Sequence, residues 1–114
     1  MRKIISLILA FGLTPVMANP LDLADSHRGE VLFQTHCAAC HGPDGRGVVP
    51  GTPDFTRDRQ RFAKGWDQVF QRVRDGFQSP GSPMAMPPRG GAELEDEEIW
   101  DILAFLKQRF YPGD

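Results

Sequence analysis

Cys37-Ala38-Ala39-Cys40-His41 is the stretch on which the reading of this chain turns. Two thiols separated by two alanines, with an imidazole directly after them, admit four chemistries. A redox dithiol needs a strand before it and a βαβ pattern, and the surrounding sequence offers neither. A zinc site needs four well-placed ligands, yet the chain has no second cysteine pair and only His27 and His36 remain to complete a set. A structural disulfide explains neither His41 nor the loops that follow. The fourth chemistry accounts for all three residues: thiols at this spacing form thioethers with the two vinyl groups of haem, and the adjacent imidazole reaches the iron from one side. On this reading Cys37 and Cys40 hold one covalent haem c and His41 is its proximal iron ligand.

Working outward toward the N-terminus, Ser26 to Cys40 carries Gly29, Phe33, His36 or Cys37, and Cys40 on one face at intervals of three or four, which predicts a helix leading into the motif. Further upstream, Arg2-Lys3, the apolar run Ile4 to Leu13 and Val16-Met17-Ala18 predict a signal peptide over residues 1–18, cleaved after Ala18. The apolar run is short for a membrane span, so an uncleaved anchor is the minor alternative and no stable membrane insertion is expected after cleavage. Export implies the periplasm. Removing eighteen residues from 114 leaves 96, one domain with a modest core that a buried prosthetic group would help to fill. Losing Arg2 and Lys3 leaves eleven basic against fifteen acidic residues, a formal charge of −4, and two haem propionates make it more negative. That balance argues against nucleic acid as a partner.

Toward the C-terminus two more helices are predicted. Trp66 to Phe77 places Trp66, Val69, Phe70, Val73 and Phe77 on one stripe, with Gly76 as a C-terminal cap and Arg72 and Arg74 facing water. The last helix puts Ile99, Ile102, Leu103, Leu106 and Phe110 on one face, with acids at its start and Lys107 and Arg109 at its end, matching the helix dipole. With Glu95 as N-cap, Leu94 and Ile99 stand as a hydrophobic staple and Glu98 falls at the third helical position. Glutamate is a poor N-cap, so a serine there is expected to stabilise by about 1 kcal/mol. Between the helices lie Gly- and Pro-rich loops, 42–53 and 80–91, and no alternating strand appears. Loops of that length in a small domain suit the wrapping of a flat cofactor.

These marks together resemble the class I, mono-haem cytochrome c family: Gly29-x-x-x-Phe33, then Cys37 to Gly42, Gly45-x-Gly47, a Met-Pro pair, and Leu94-x-Asp96-Glu97-Glu98-Ile99-x-x-Ile102-x-x-Phe105-Leu106. The resemblance covers nearly all of residues 19–114. It implies an all-α cytochrome c fold of three to four helices around one haem c, with the first and last helices crossing near Gly29, where Phe105 or Trp100 approaches. It implies a methionine as distal iron ligand. Met86, followed by Pro87, matches the family's Met-Pro pattern better than its alternative, Met84. It also implies a proline carbonyl that accepts a hydrogen bond from the ligand imidazole. Pro50 is the candidate and Pro53 its rival, because two extra residues separate Gly47 from Pro50. Trp66 and Arg57 are read as core packing and solvated surface, and His27 and His36 as surface or packing residues.

A His/Met pair raises the reduction potential and closes the iron to oxygen or peroxide. The implied function is a soluble periplasmic one-electron carrier, not an enzyme, shuttling electrons between a protein donor and a protein acceptor that the sequence does not name. The alternatives are a haem c subunit of a larger dehydrogenase or reductase complex and a small-molecule-binding haem sensor or peroxidase. Basic residues at Arg57, Arg59, Arg61, Lys64, Arg72 and Arg74 and acids at Glu93, Glu95, Asp96, Glu97, Glu98 and Asp101 read as two solvated faces. Together they would also give a dipole able to orient the protein on a redox partner.

Overall fold

The computed structural model describes residue 12 and residues 19–113, so all of the expected signal peptide but Gly12 lies outside the described residues. Among the described residues five α-helices follow in order: α1 Pro20–Leu23, α2 Ser26–His36, α3 Ala38–His41, α4 Trp66–Asp75 and α5 Asp96–Phe110, with 3₁₀ turns at Gln60–Phe62 and Pro88–Gly91. Among the described residues there is no strand, only an isolated antiparallel bridge between Phe77 and Met86. No helix there is long and apolar enough to cross a membrane.

Helix α5 is the centre of the core. Its 3.6-residue stripe buries Ile99, Ile102, Leu103, Phe105 and Leu106, joined by Phe33 from α2, Phe70 from α4, and Leu21, Phe55 and Leu94. The first turn of α5 carries Asp96, Glu97 and Glu98 and the last turn Lys107 and Arg109, each charge at the end of the dipole that favours it. At its start Glu95 and Glu98 close a reciprocal capping box, the Glu98 carboxylate accepting from the Glu95 N–H at 3.1 Å. The Glu95 carboxylate thus already does what a serine cap would do. Glu95→Ser is therefore expected to gain only a few tenths of a kcal/mol instead of the full cap value, and thermal unfolding should place it within about 3 °C of the parent.

Helices α2 and α5 cross at Gly29. A Cβ at this position would run into the backbone carbonyl of Asp101, so the crossing is helix backbone against helix backbone. The nearest atoms at Gly29 are α5 backbone, not the Phe105 or Trp100 side chains expected there; Phe105 packs on Phe33 at 5.5 Å between ring centroids, and Trp100 stacks on Phe70 at 4.5 Å. Buried Asp101 then ties the two helices together. Its carboxylate accepts the Asp25 N–H at 2.8 Å and faces Arg28 Nε at 3.7 Å, while Arg28 also reaches Glu98 at 3.2 Å.

The predicted helix 26–40 is in fact broken at Cys37, which separates α2 from α3. The Thr35 hydroxyl donates to the Val31 carbonyl at 2.8 Å, a back-bond of the kind that bends helices. The family resemblance implied three to four helices; the extra segments are this short continuation and the four-residue α1. At the far end of α5, Tyr111 is buried and its hydroxyl donates to the Phe55 carbonyl at 3.1 Å, with the Asp58 carbonyl at 3.3 Å. Burial pushes its pKa up to about 12, so the phenol stays a donor and pins the loop after α3 to the core.

Candidate haem site

The break at Cys37 leads into a single turn, α3, that carries Cys40 and His41. After His41 the chain doubles back. The Gly47 N–H donates to the His41 carbonyl at 2.7 Å, the Val48 N–H to the Cys40 carbonyl at 2.9 Å, and the Phe55 N–H to the Gly45 carbonyl at 2.8 Å. Gly47 has φ +83 and its missing Cβ would sit 2.8 Å from the Thr52 carbonyl, so no other residue fits that turn without strain.

This loop, the end of α2, α3, α4, the segment around Met86 and α5 enclose one largely apolar cavity of about 190 Å³. A single water needs roughly 10–15 Å³ by the same measure, so the space suits a far larger group. Cys37, Cys40, His41, Met84 and Met86 all line it. Both cysteines are free thiols. Burial, with Cys40 adding to it, pushes the Cys37 thiol up to about 11, which keeps it protonated and makes it a poor exchange nucleophile.

The His41 ring stacks on Phe55 at 5.0 Å between centroids and 14° between planes, with Phe33 at 6.3 Å on a tilt. Burial, helped by the Arg61 charge, lowers its pKa to about 4, so the imidazole is neutral at physiological pH, the form in which histidine binds a metal. Its Nδ1 is buried without a hydrogen-bond partner. The expected proline carbonyl is therefore not in place: Pro50 and Pro53 both line the cavity, but neither carbonyl bonds the ring. An orphaned nitrogen on a neutral imidazole, two free thiols beside it and an apolar cavity with a thioether on its wall fit a haem attached at Cys37 and Cys40. Among the described residues no three His, Cys, Asp or Glu side chains gather as a metal-binding group.

Met84 and Met86 differ in setting. Met86 is half-buried and its backbone pairs with Phe77, donating at 2.7 Å and accepting at 3.1 Å. Met84 is 53 % exposed, and its carbonyl accepts the Ser82 hydroxyl at 2.9 Å.

The model describing the family "Cytochrome C oxidase, cbb3-type, subunit III" matches residues 24–106. The chain belongs to the cytochrome c family. Cytochrome c-554(548) of Halomonas halodenitrificans is 35% identical over 85 residues, covering 75% of this chain and 96% of that protein. Chloroplastic cytochrome c6 of Arabidopsis thaliana is 34% identical over 89 residues, covering 73% of this chain and 51% of that one. In fold, this cytochrome is similar to the crystal structure of cytochrome cL from Methylophaga aminisulfidivorans, with a TM-score of 0.58, 24% identity, and coverage of 75% and 53% of the two chains. The cytochrome thus spans about half the length of the last two and nearly all of the first. The all-α fold and one covalent haem c per domain belong to the family.

Two site residues escaped the sequence reading. Arg61 and Arg72 line the cavity, and Arg72, expected to face water, instead places its guanidinium 4.1 Å from the Phe77 ring centroid. The available signal was position: Arg72 lies between Val69 and Val73 on the α4 stripe and shares their side of the helix. Trp66 packs against Phe62 at 4.8 Å and Arg57 is 88 % exposed, as read. His36 lines the cavity from the last turn of α2. The opposed charge clusters are softened by local ion pairs, Arg61 with Asp58 at 2.7 Å, Arg74 with Asp75 at 2.9 Å and Arg89 with Asp96 at 2.8 Å.

Proposed function

We propose that this cytochrome is a periplasmic one-electron carrier in which Cys37 and Cys40 hold haem c, His41 is the proximal iron ligand and Met86 the distal one, Met84 being the alternative. The observation that carries the reading is the convergence of both thiols, a neutral imidazole and the half-buried Met86 on one apolar cavity. When bound, the haem supplies an iron that cycles between ferric and ferrous states. The chain's residues do the rest. Cys37 and Cys40 would hold the cofactor, each thiol adding across a vinyl group with sulfur to one carbon and hydrogen to the other, so that no oxidant is needed. Phe55 and Phe33 hold the His41 ring, the Phe77 bridge holds the backbone of Met86, and the apolar walls exclude water. No step calls for an acid or base. Protein redox partners, with neither nucleic acid nor a membrane among them, complete the reading.

Redox-monitored spectra of the wild type, Met84→Ala and Met86→Ala test it. The wild type and Met84→Ala are expected to show the ferric band due to Met-sulfur ligation and, when reduced, to exclude carbon monoxide. Met86→Ala should lose the band, bind carbon monoxide and drop in potential by on the order of 0.1 V or more, a fraction of the roughly 0.8 V range that axial ligands span. A band that survives in Met86→Ala overturns the ligand assignment.

The description of the matching family favours a second reading, a subunit working inside a larger oxidase or dehydrogenase assembly. Copurification of such an assembly from the native host would favour it over a free carrier.

A further inference from the structure

Arg89 breaks three local rules at once. It is the one non-glycine among the described residues with positive φ, at φ +55 and ψ +30, a region that L side chains avoid. It sets a cation at the N-terminal end of α5, where the helix dipole favours anions. Its long side chain is also drawn down to 33 % exposure. Violations gathered at one residue are expected where function requires them.

The guanidinium shows what is gained. Nη1 donates to the carbonyl of buried Leu94 at 2.7 Å, and Nη2 pairs with Asp96 Oδ1 at 2.8 Å. Between Arg89 and Leu94 run Gly90 and Gly91, both at positive φ, a stretch with little stiffness of its own. On the other side, only Pro87 and Pro88 separate Arg89 from Met86. Met86 is therefore gripped twice, by its two backbone hydrogen bonds to Phe77 after α4 and, through Arg89, by the start of α5.

We propose that Arg89 is a positioning residue for the distal ligand, clamping the Met86 segment to the N-terminus of α5 so that the Met86 sulfur stays at the cavity. The clamp makes occupancy of the distal position depend on a side chain that never touches the iron. The proposal rests on Met86 being that ligand.

The haem-loaded protein tests it through Arg89→Gly, which keeps the left-handed backbone and removes the clamp. Arg89→Lys, which can reach one partner but not form the fork, and Asp96→Asn, which weakens one arm, are measured beside it. Amide exchange at Met86 and carbon monoxide uptake by the reduced protein should each accelerate by at least about tenfold in Arg89→Gly, the effect of losing one charge-assisted hydrogen bond. Exchange in α2 and α5 interiors should stay as in the wild type, and Arg89→Lys and Asp96→Asn should fall between. If Arg89→Gly does not fold, the same two readouts in Asp96→Asn decide. Met86 exchange and carbon monoxide uptake at wild-type values, with only a lower Tm, would reduce Arg89 to a helix-end brace and overturn the proposal. Met86→Ala separates the two readings. If it retains the Met-sulfur band, the ligand assignment falls and the clamp with it; if it loses the band while Arg89→Gly matches the wild type, the clamp alone falls.

Discussion

Gly29→Ala is expected to destabilise the protein by about 3 kcal/mol or more, although alanine is intrinsically the better helix former by about 1 kcal/mol. The two effects have opposite signs, and geometry decides between them. A methyl group at position 29 would overlap the Asp101 carbonyl and crowd the Ile102 nitrogen, both of which are backbone atoms of α5 and cannot rotate away. The helices must separate, which also pulls Phe33 off Phe105 and lengthens the Asp25 to Asp101 hydrogen bond. For a domain of this size the loss lowers Tm by roughly 12–24 °C, measured on the haem-loaded protein by thermal or denaturant unfolding. A Gly29→Ala variant as stable as the parent, or more stable, would show that propensity prevails and that the crossing can relax.

Phe55→Ala should cost about 3–5 kcal/mol, the usual range for removing a buried aromatic ring. Phe55 is 7 % exposed and touches three other aromatic groups besides His41: Phe62 at 5.8 Å, Phe110 at 5.8 Å and, through its carbonyl, the Tyr111 hydroxyl. Its deletion leaves a void against the face of the His41 imidazole, which gains freedom at the position proposed to hold the iron. Phe55→Leu separates packing from stacking. It fills most of the volume and should cost less than about 1.5 kcal/mol. Denaturant unfolding of the pair reads the difference, and a Phe55→Ala loss below about 1 kcal/mol would mean that the pocket collapses onto the gap.

The centre of the site was legible because its chemistry is contiguous. Cys37, Cys40 and His41 fall within five residues, and no distant contact is needed to see what they can bind. Helix α5 was legible for a similar reason: its period, its staple at Leu94 and Ile99 and its charged ends are all local signals. What stayed hidden depends on partners far away in sequence. Gly29 could be marked as a crossing point, but that its neighbour is the backbone of Asp101 and not a large side chain follows from the helix approach alone. The break at Cys37 comes just after a hydroxyl back-bond from Thr35 to Val31, which no periodicity reveals. By charge Arg72 is a surface cation, whereas its place beside Val69 and Val73 sets it over Phe77. The missing hydrogen bond at His41 Nδ1 depends on where the loop after Gly47 runs, and no residue type announces that path.

The bond from Asp25 to Asp101 joins residues 76 apart in the chain. Closing a loop of that length costs about 4 kcal/mol beyond the length-independent part, and the α2–α5 crossing meets it in one step. Most of the cavity wall, from Phe33 to Gly90, lies inside this closed circuit, and Ile102 and Leu106 complete it from α5 just beyond. A single proteolytic cut at the exposed Gly81 tip should accordingly yield two pieces that remain associated and melt as one, since the contacts that unite them are made by the helices on either side of the cut.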